Sequence, residues 1–159
     1  MEWQRPSDLT NLALLAALAA LVQSLPSVAQ TITDGDTIKL NGTTYRLWGI
    51  DAAEKHQACA DGWPAGVEAS KALLKLMHGR TVTCEPRTKD RYGRTVALYR
   101  ADGEDLGAAM VRAGMAWSFT RYSSDYAGAE WAAIGARAGV HSHDCIPPWD
   151  WRARSRGER

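Results

Sequence analysis

One short hairpin with an acidic residue at each end constrains this chain more than any other stretch. Asn41-Gly42 is a strong two-residue turn signal between two runs of β-branched and apolar residues. An antiparallel return brings Asp36, before the first run, close to Asp51, after the second. Two converging carboxylates repel each other unless a cation lies between them, and a hard ion such as Ca²⁺ prefers oxygen ligands. The hairpin therefore predicts a calcium site at one end of a sheet.

Two further side chains of the same stretch suit phosphate chemistry. Arg46, on the returning strand, offers a planar fork of donors that can bind a phosphate through two hydrogen bonds. Glu54 follows Asp51 by three residues, in a loop where its carboxylate can face a metal-bound water. The stretch thus indicates a metal, a base and a phosphate clamp in one cleft.

Three blocks of the sequence resemble the signature blocks of the staphylococcal nuclease family. They are Asp34-Gly35-Asp36-Thr37, Arg46-Leu47-x-Gly49-Ile50-Asp51-Ala52-x-Glu54 and Asp90-Arg91-Tyr92-Gly93-Arg94. They occur in the family's order and roughly at its spacing, and the resemblance covers about residues 31–151. One block alone is weak evidence, whereas three in order are specific.

The resemblance implies a Ca²⁺-dependent endonuclease that hydrolyses DNA and RNA and leaves 3′-phosphate ends. In this family the metal ligands would be the carboxylates of Asp36 and Asp51 and the backbone carbonyl of Ala52. Because a backbone ligand does not depend on its side chain, an alanine is acceptable there. The resemblance therefore names Ca²⁺ as the cofactor.

The resemblance also assigns the reacting groups. Glu54 would be the general base, and Arg46 and Arg94 would bind the phosphodiester and stabilise the charge that develops on it. Ala53 stands where the family usually has a proline before the glutamate. Because proline restricts its own φ and the residue before it, we expect a looser loop around Glu54 and a lower activity here.

Single-stranded DNA and RNA are the expected substrates. No stable protein partner is implied, and a monomer is expected. With 19 basic and 18 acidic residues, the chain must meet nucleic acid through a local patch rather than its overall charge. Tyr92 and Tyr122 could stack on bases, with packing at a sheet edge as the alternative. Arg91 could meet a neighbouring phosphate.

A different class of function is a non-catalytic nucleic-acid-binding module on the same fold. A degenerate member of the family would be expected to lose acidic ligands or an arginine. This chain keeps all five side chains of the implied machinery, so the sequence favours the enzyme. They are Asp36, Arg46, Asp51, Glu54 and Arg94.

Short strands in hairpins with interspersed helices predict an α+β, mainly β domain over residues 30–151. Five strands in this arrangement are typical of an OB-fold barrel, and the resemblance implies that the barrel is closed. About three helices are expected. The basic tail after the domain is predicted to be a solvated end, and a patch that follows a nucleic-acid backbone is the alternative, formed by Arg152, Arg154, Arg156 and Arg159. The helices span residues 66–78, 105–113 and about 124–138, and the tail spans residues 152–159.

The first 29 residues differ in character from the rest. Residues 12–22 contain no polar side chain, Leu25-Pro26 ends any helix, and Ser27-Val28-Ala29 offers a small-x-small cleavage site. This pattern predicts a signal peptide and a secreted or periplasmic protein. An uncleaved anchor, which would hold the domain at a membrane outside the cytoplasm, is the alternative.

Three cysteines in an exported chain leave one unpaired. Cys84 alternates with apolar residues in a predicted strand, which indicates a buried thiol. Cys59 and Cys145 both lie in polar, loop-like surroundings and are the candidate disulfide. Zinc bound by those cysteines and the neighbouring histidines, His56, His141 and His143, is the weaker alternative, because an oxidising compartment favours the disulfide.

Overall fold

The computed structural model describes residues 30–157. The expected signal peptide, its cleavage site and the last two residues of the basic tail lie outside the described residues. Among the helices of residues 30–157, none combines the length and the apolar character that crossing a membrane requires.

Two hydrogen-bonded sheets of unequal size carry the fold. The larger sheet has the order β1-β2-β3-β6-β5, with β7 paired to β6, and β4 pairs with β8 separately. Over the described residues, the strands are β1 Gln30–Asp34, β2 Thr37–Leu40, β3 Thr43–Leu47, β4 Ile50–Ala52, β5 Val82–Lys89, β6 Thr95–Ala101, β7 Glu104–Asp105 and β8 Ala116–Ser118.

The central hairpin forms as the sequence predicts. β2 and β3 are antiparallel, and the turn residues Asn41 and Gly42 have φ values of 48° and 81°. Positive φ at both central positions is the turn geometry that matches the twist of the flanking strands. The mixed α and β class is confirmed. Pairing ends at β1 and β5 within residues 30–157, so the hydrogen-bonded strands do not close into the expected five-stranded barrel.

The returning strand is interrupted, in contrast to the single run expected from the sequence. β3 ends at Leu47 and β4 begins at Ile50, because Gly49 adopts a φ of 68°. A Cβ at Gly49 would lie 2.9 Å from the ring of Tyr126, so a glycine is needed there on both counts. The bend moves the chain from the large sheet to the small one and carries Asp51 with it.

The described residues form four α-helices and one 3₁₀ turn, where about three helices are expected from the sequence. The three expected helices are present with shorter or shifted bounds, and Asp105 caps the second by accepting a hydrogen bond from the Ala108 amide. The fourth was missed and begins at a proline, which suits the first turn of a helix. The helices are α1 Ala65–Met77, α2 Leu106–Arg112, α3 Ala127–Gly135 and α4 Pro148–Gly157, with the 3₁₀ turn at Gly139–His141.

The third signature block occupies a shorter turn than expected. The sequence suggests a polar segment at residues 86–94, but β5 continues to Lys89. A register shift between Pro86 and Thr88 accommodates the proline, which has no amide hydrogen to donate. Only residues 90–94 remain between β5 and β6, so the block is held tightly between two paired strands.

A second, smaller core packs beneath the loop that follows β4. Its buried members are Ala53, Cys59, Ala65, Trp117 and Val140, with Trp63, Cys145 and Trp149 packed against them. Cys59 and Cys145 are joined by a disulfide, with their Cα atoms 4.3 Å apart. Cys84 is half-buried against the main core instead of fully buried. The smaller core thus ties the loop after β4 to the segment that leads into α4.

Candidate active site

Two buried carboxylates and one arginine meet where the central hairpin ends. The side chain of Asp36 is 4% exposed and that of Asp51 is 0% exposed. The Nη2 atom of Arg46 lies 3.0 Å from Asp36 Oδ2 and 2.6 Å from Asp51 Oδ1. The structure therefore brings together the acidic pair and the arginine that the hairpin pattern singled out, with the guanidinium between the carboxylates.

Asp36 is held on both oxygen atoms. Oδ2 accepts a hydrogen bond of 2.9 Å from the Ala52 amide, and Oδ1 accepts one of 2.9 Å from the Thr37 hydroxyl. Burial raises the pKa of Asp36, and its neighbour Asp34 adds to this, against the lowering effect of Arg46 and the two hydrogen bonds. For Arg46, burial alone would lower the pKa, but Asp36 and Asp51 outweigh it and raise the pKa above its usual range.

Gly35, the glycine of the first block, lies so close to two neighbouring elements that no side chain fits there. A Cβ at Gly35 would lie 2.5 Å from the Cβ of Ala69 on α1 and 2.8 Å from the Cβ of Ala52 on β4. Because real Cβ atoms do not approach so closely, a side chain at this position would push α1 or β4 away. Gly35 thus lets the turn before Asp36 sit against both elements.

The loop that carries Glu54 is restrained although it lacks the family's proline. The Glu54 amide donates to Gln57 Oε1 at 3.1 Å, and the Gln57 amide donates to the Glu54 carbonyl at 2.7 Å. Gln57 is 2% exposed and donates through Nε2 to the Ile146 carbonyl at 2.8 Å. Ala53 is buried in the smaller core. These contacts are restraints that the sequence did not reveal.

The third block forms a turn closed by Asp90. Its Oδ1 accepts hydrogen bonds from the amides of Tyr92 and Arg94 at 2.9 and 3.0 Å, and its Oδ2 accepts one from Arg94 Nε at 2.7 Å. Burial works to raise the pKa of Asp90, but these hydrogen bonds outweigh it and lower the pKa. The guanidinium carbons of Arg91 and Arg94 lie 4.7 and 5.5 Å from the centre of the Tyr92 ring. The turn therefore presents an aromatic face and positive charge together.

A cleft of about 880 Å³ brings the candidate residues into one site. The buried charged residues at its floor are Asp36 and Asp51. The exposed charged residues at its rim are Lys89, Arg91, Arg121, Asp150 and Arg156, four of which are basic, so a polyanion would meet mainly positive charge before the buried carboxylates. Tyr92 and Tyr122 are 68% and 69% exposed, so both are accessible for stacking. The predicted residues that line the cleft are Asp36, Arg46, Asp51, Ala52, Glu54, Arg91, Tyr92, Arg94 and Tyr122.

The donor chemistry at the floor of the cleft fits a hard divalent cation. Asp36 and Asp51 provide buried carboxylate oxygens, which such ions prefer. Within residues 30–157, no three acidic, histidine or cysteine side chains converge on one metal position, so backbone oxygen and water would complete the coordination shell. The zinc alternative is wrong, because both sulfur atoms are joined in the disulfide and His143 stacks on Trp63 at 4.3 Å.

Arg152 of α4 is a site residue whose contacts the sequence analysis missed, because it placed Arg152 in the basic tail. Its Nη2 lies 2.6 Å from Asp51 Oδ2, and its Nη1 lies 2.6 Å from Glu54 Oε1. The expected solvated tail is instead a helix whose residues at helical spacing line the cleft. They are Trp149, Arg152, Ala153 and Arg156. A proline followed by nine residues without another proline was the available signal for this helix.

Buried carboxylates, a half-buried carboxylate and several arginines in one cleft are typical of enzymes that hydrolyse phosphodiester bonds. The comparisons with known proteins agree with that class. The chain matches the model of the staphylococcal nuclease homologue family over residues 44–140. It belongs to the staphylococcal nuclease family, and it is a hydrolase of the nuclease type.

Several known proteins are similar over most of this chain. Protein ParB of Escherichia coli is 33% identical, and the alignment covers 91% of this chain and 92% of that protein. An uncharacterized endonuclease of Escherichia coli O157:H7 is 35% identical over 77% of this chain and 82% of its own length. Staphylococcal-like nuclease CAN1 of Arabidopsis thaliana is 34% identical over 70% of this chain and 34% of its own length.

Proposed function

We propose that this protein is an exported, Ca²⁺-dependent endonuclease that hydrolyses single-stranded DNA and RNA and leaves 3′-phosphate ends. The observation that carries the proposal is the cluster of Asp36, Arg46 and Asp51 at the floor of a cleft that also contains Glu54 and Arg94. Family membership supports the nucleic-acid substrate. The mainly basic rim of the cleft supports a polyanionic substrate.

The metal proposal rests on oxygen donors. Asp36 and Asp51 would hold Ca²⁺ with the backbone carbonyl of Ala52, and the ion would supply a positive charge near the developing charge of the phosphate. The carboxylates are already close enough to share one guanidinium group. That proximity makes the same pair suitable for one shared cation.

The reacting groups follow from their position and charge. Glu54 takes a proton from the attacking water as the water oxygen bonds to phosphorus, and the bond from phosphorus to the 5′ oxygen breaks. The leaving 5′ oxygen takes a proton from solvent, and the phosphate stays on the 3′ end. Arg46 and Arg94 stabilise the charge that grows on the phosphoryl oxygens, where a preorganised guanidinium is most effective.

The exposed groups on the rim of the cleft would bind the substrate. Tyr92 and Tyr122 offer faces on which unpaired bases can stack, and Arg91 lies beside Tyr92 to meet a phosphate. Single strands fit this arrangement because their bases are available for stacking, whereas those of a duplex are not.

Export is proposed from the N-terminal sequence and the disulfide. A disulfide between Cys59 and Cys145 persists in an oxidising compartment, which the periplasm and the extracellular space provide. N-terminal sequencing of protein recovered from outside the cytoplasm should begin at Gln30. A chain that retains its first residues in a membrane fraction would instead show the anchored form.

A cleavage assay with a fluorescent single-stranded oligonucleotide tests the proposed activity. We expect cleavage with Ca²⁺, none with a chelator, and a rate about 10²-fold lower for Glu54→Gln, because the amide cannot accept the proton. Mass spectrometry of the products should show 3′-phosphate ends.

Glu68→Gln is the matched control for that assay. Glu68 lies on α1, pairs with Lys71 and is outside the cleft, so the same substitution there should leave the rate unchanged. Equal cleavage in the presence of Ca²⁺, in the presence of chelator and by Glu54→Gln would contradict the proposal. Tight binding of the oligonucleotide without cleavage would favour the non-catalytic module.

A further inference from the structure

One guanidinium group on α4 bridges two residues of the proposed machinery. Arg152 contacts both oxygens of Asp51, with Nη1 at 3.2 Å from Oδ1 and Nη2 at 2.6 Å from Oδ2. Its Nη1 also lies 2.6 Å from Glu54 Oε1. A bidentate contact fixes the plane of a guanidinium group more firmly than a single hydrogen bond does. The contact with the fully buried Asp51 therefore anchors the group that holds Glu54.

Glu54 needs such an anchor more than Asp36 and Asp51 do. Its side chain is 34% exposed, whereas those of Asp36 and Asp51 are almost fully buried. A glutamate side chain at a surface samples several rotamers, and restricting it costs conformational entropy. Among the described residues, Arg152 is the partner of the Glu54 carboxylate. Its orientation toward the cleft floor depends on that contact.

A set of links between the loop after Glu54 and the segment before α4, the loop clamp, holds α4 close to Glu54. The disulfide joins Cys59, in the loop after Glu54, to Cys145, three residues before α4. Gln57 Nε2 donates to the Ile146 carbonyl at 2.8 Å, and the Ala60 amide donates to the Asp144 carbonyl at 2.8 Å. These three links join the loop of Glu54 to the segment before α4, and they place Arg152 within reach of Glu54.

We propose that Arg152 is a positioning residue that orients the Glu54 carboxylate for proton transfer. The inference rests on the proposed function, because it assigns Arg152 to the task of the general base. It acts on catalysis through Glu54, which separates it from Arg46 and Arg94, the groups proposed to bind the phosphate. A general base displaced by about 1 Å loses roughly 10²-fold in rate, which is the size of effect that a positioning residue can have.

Replacement of Arg152 with alanine tests the role through the split between kcat and KM. We expect kcat to fall about 10²-fold with KM changed less than about twofold. Arg152→Lys should restore little, because a single ammonium group cannot bridge two carboxylates as the planar fork does. Guanidinium ion added to Arg152→Ala should restore part of the rate.

Arg154→Ala is the matched control, since it removes the same charge from the same helix. Arg154 is exposed and lies outside the cleft, so its replacement should leave kcat and KM unchanged. Thermal melting of each variant separates a loss of folding from a loss of orientation. If the alanine variant unfolds, Arg152→Lys takes its place in the test, provided that it keeps the wild-type melting temperature.

A double-mutant cycle shows whether Arg152 acts through Glu54. In a Glu54→Gln background, Arg152→Ala should change the residual rate by less than about twofold, because the base it orients is already lost. An equal loss in both backgrounds would contradict the inference. So would a rise in KM alone, which indicates a substrate ligand, or a rise in kcat, which indicates an obstructing contact.

The outcomes also separate this inference from the proposed function. A wild-type protein that cleaves no oligonucleotide with Ca²⁺ would overturn the proposed function. A wild-type protein that cleaves, together with an Arg152→Ala variant of unchanged kcat, would overturn only the role of Arg152.

Discussion

Replacing Arg46 with alanine is expected to lower the free energy of unfolding by about 3 kcal/mol and kcat by about 10²–10³-fold. The loss of stability follows from burial, since removing the guanidinium leaves Asp36 almost fully buried beside Asp51 without a compensating charge. Asp51 keeps its contact with Arg152, so the penalty falls mainly on Asp36. Chemical denaturation in the presence of a chelator measures the stability, and the oligonucleotide assay measures kcat.

Two variants test the electrostatic origin of that loss. Adding Asp36→Asn to Arg46→Ala should recover part of the stability, because the uncompensated charge is then gone. Arg94→Ala should cost only about 1 kcal/mol or less, since Arg94 pairs with Asp90 nearer the surface, at 29% and 12% side-chain exposure. A loss of equal size for both arginines would show that burial of the acidic pair is not the cause.

Replacing Gly66 with alanine is expected to cost about 3 kcal/mol of stability and about 10²-fold in kcat. Gly66 is the second residue of α1, and a Cβ there would collide with the carbonyl oxygen of Glu54. Its amide also donates to the Gln57 carbonyl at 3.0 Å, so α1 and the loop of Glu54 are packed backbone to backbone. A methyl group must therefore displace the loop that carries the proposed base. Denaturation and steady-state kinetics measure both effects.

Gly128→Ala is the control for the helical background. Gly128 lies in α3, and a Cβ there would meet nothing within 4 Å. Alanine has the higher helix propensity, so this variant should be neutral or gain up to about 1 kcal/mol. An equally small effect of Gly66→Ala would contradict the prediction, because it would show that the loop of Glu54 moves easily despite its hydrogen bonds.

The acidic pair could be predicted because its geometry is local. Asp36 and Asp51 are separated by one hairpin, and the turn at Asn41-Gly42 determines the register between its two strands. Arg46 faces the same end because it pairs with Thr37, the residue after Asp36. Periodicity also gave α1 to within one residue at each end, since its apolar face and the following glycine are strong signals.

Parallel pairing of two distant strands, which a local hairpin pattern does not predict, brings Arg94 to the site. β3 and β6 pair in parallel, with Tyr45 opposite Thr95 and Arg46 opposite Val96. Arg94, directly before β6, is therefore placed beside the strand of Arg46. Parallel pairing joins strands that are distant in the chain, and no local pattern states which strand will be the neighbour. Only the resemblance to the family gave Arg94 its place in the sequence interpretation.

α4 was missed because its stability is tertiary in origin. Its ten residues alternate tryptophan, arginine and small residues without a clear apolar stripe, and an isolated helix of that length is marginal in water. What holds it is the packing of Trp149 on the smaller core and the contact of Arg152 with buried Asp51. In the sequence, an arginine that forms an ion pair inside a cleft looks the same as one in a solvated tail.

The sequence by itself determined the acidic pair, the arginine between the carboxylates and the family, because each depends on neighbours in the chain or on short blocks in order. The tertiary structure alone decided that the hydrogen-bonded sheet stays open between β1 and β5 and that Arg152 reaches Glu54. Both depend on contacts between residues far apart in the chain. Arg152 and Glu54 are 98 residues apart, and the packing of α4 on the loop clamp brings them together.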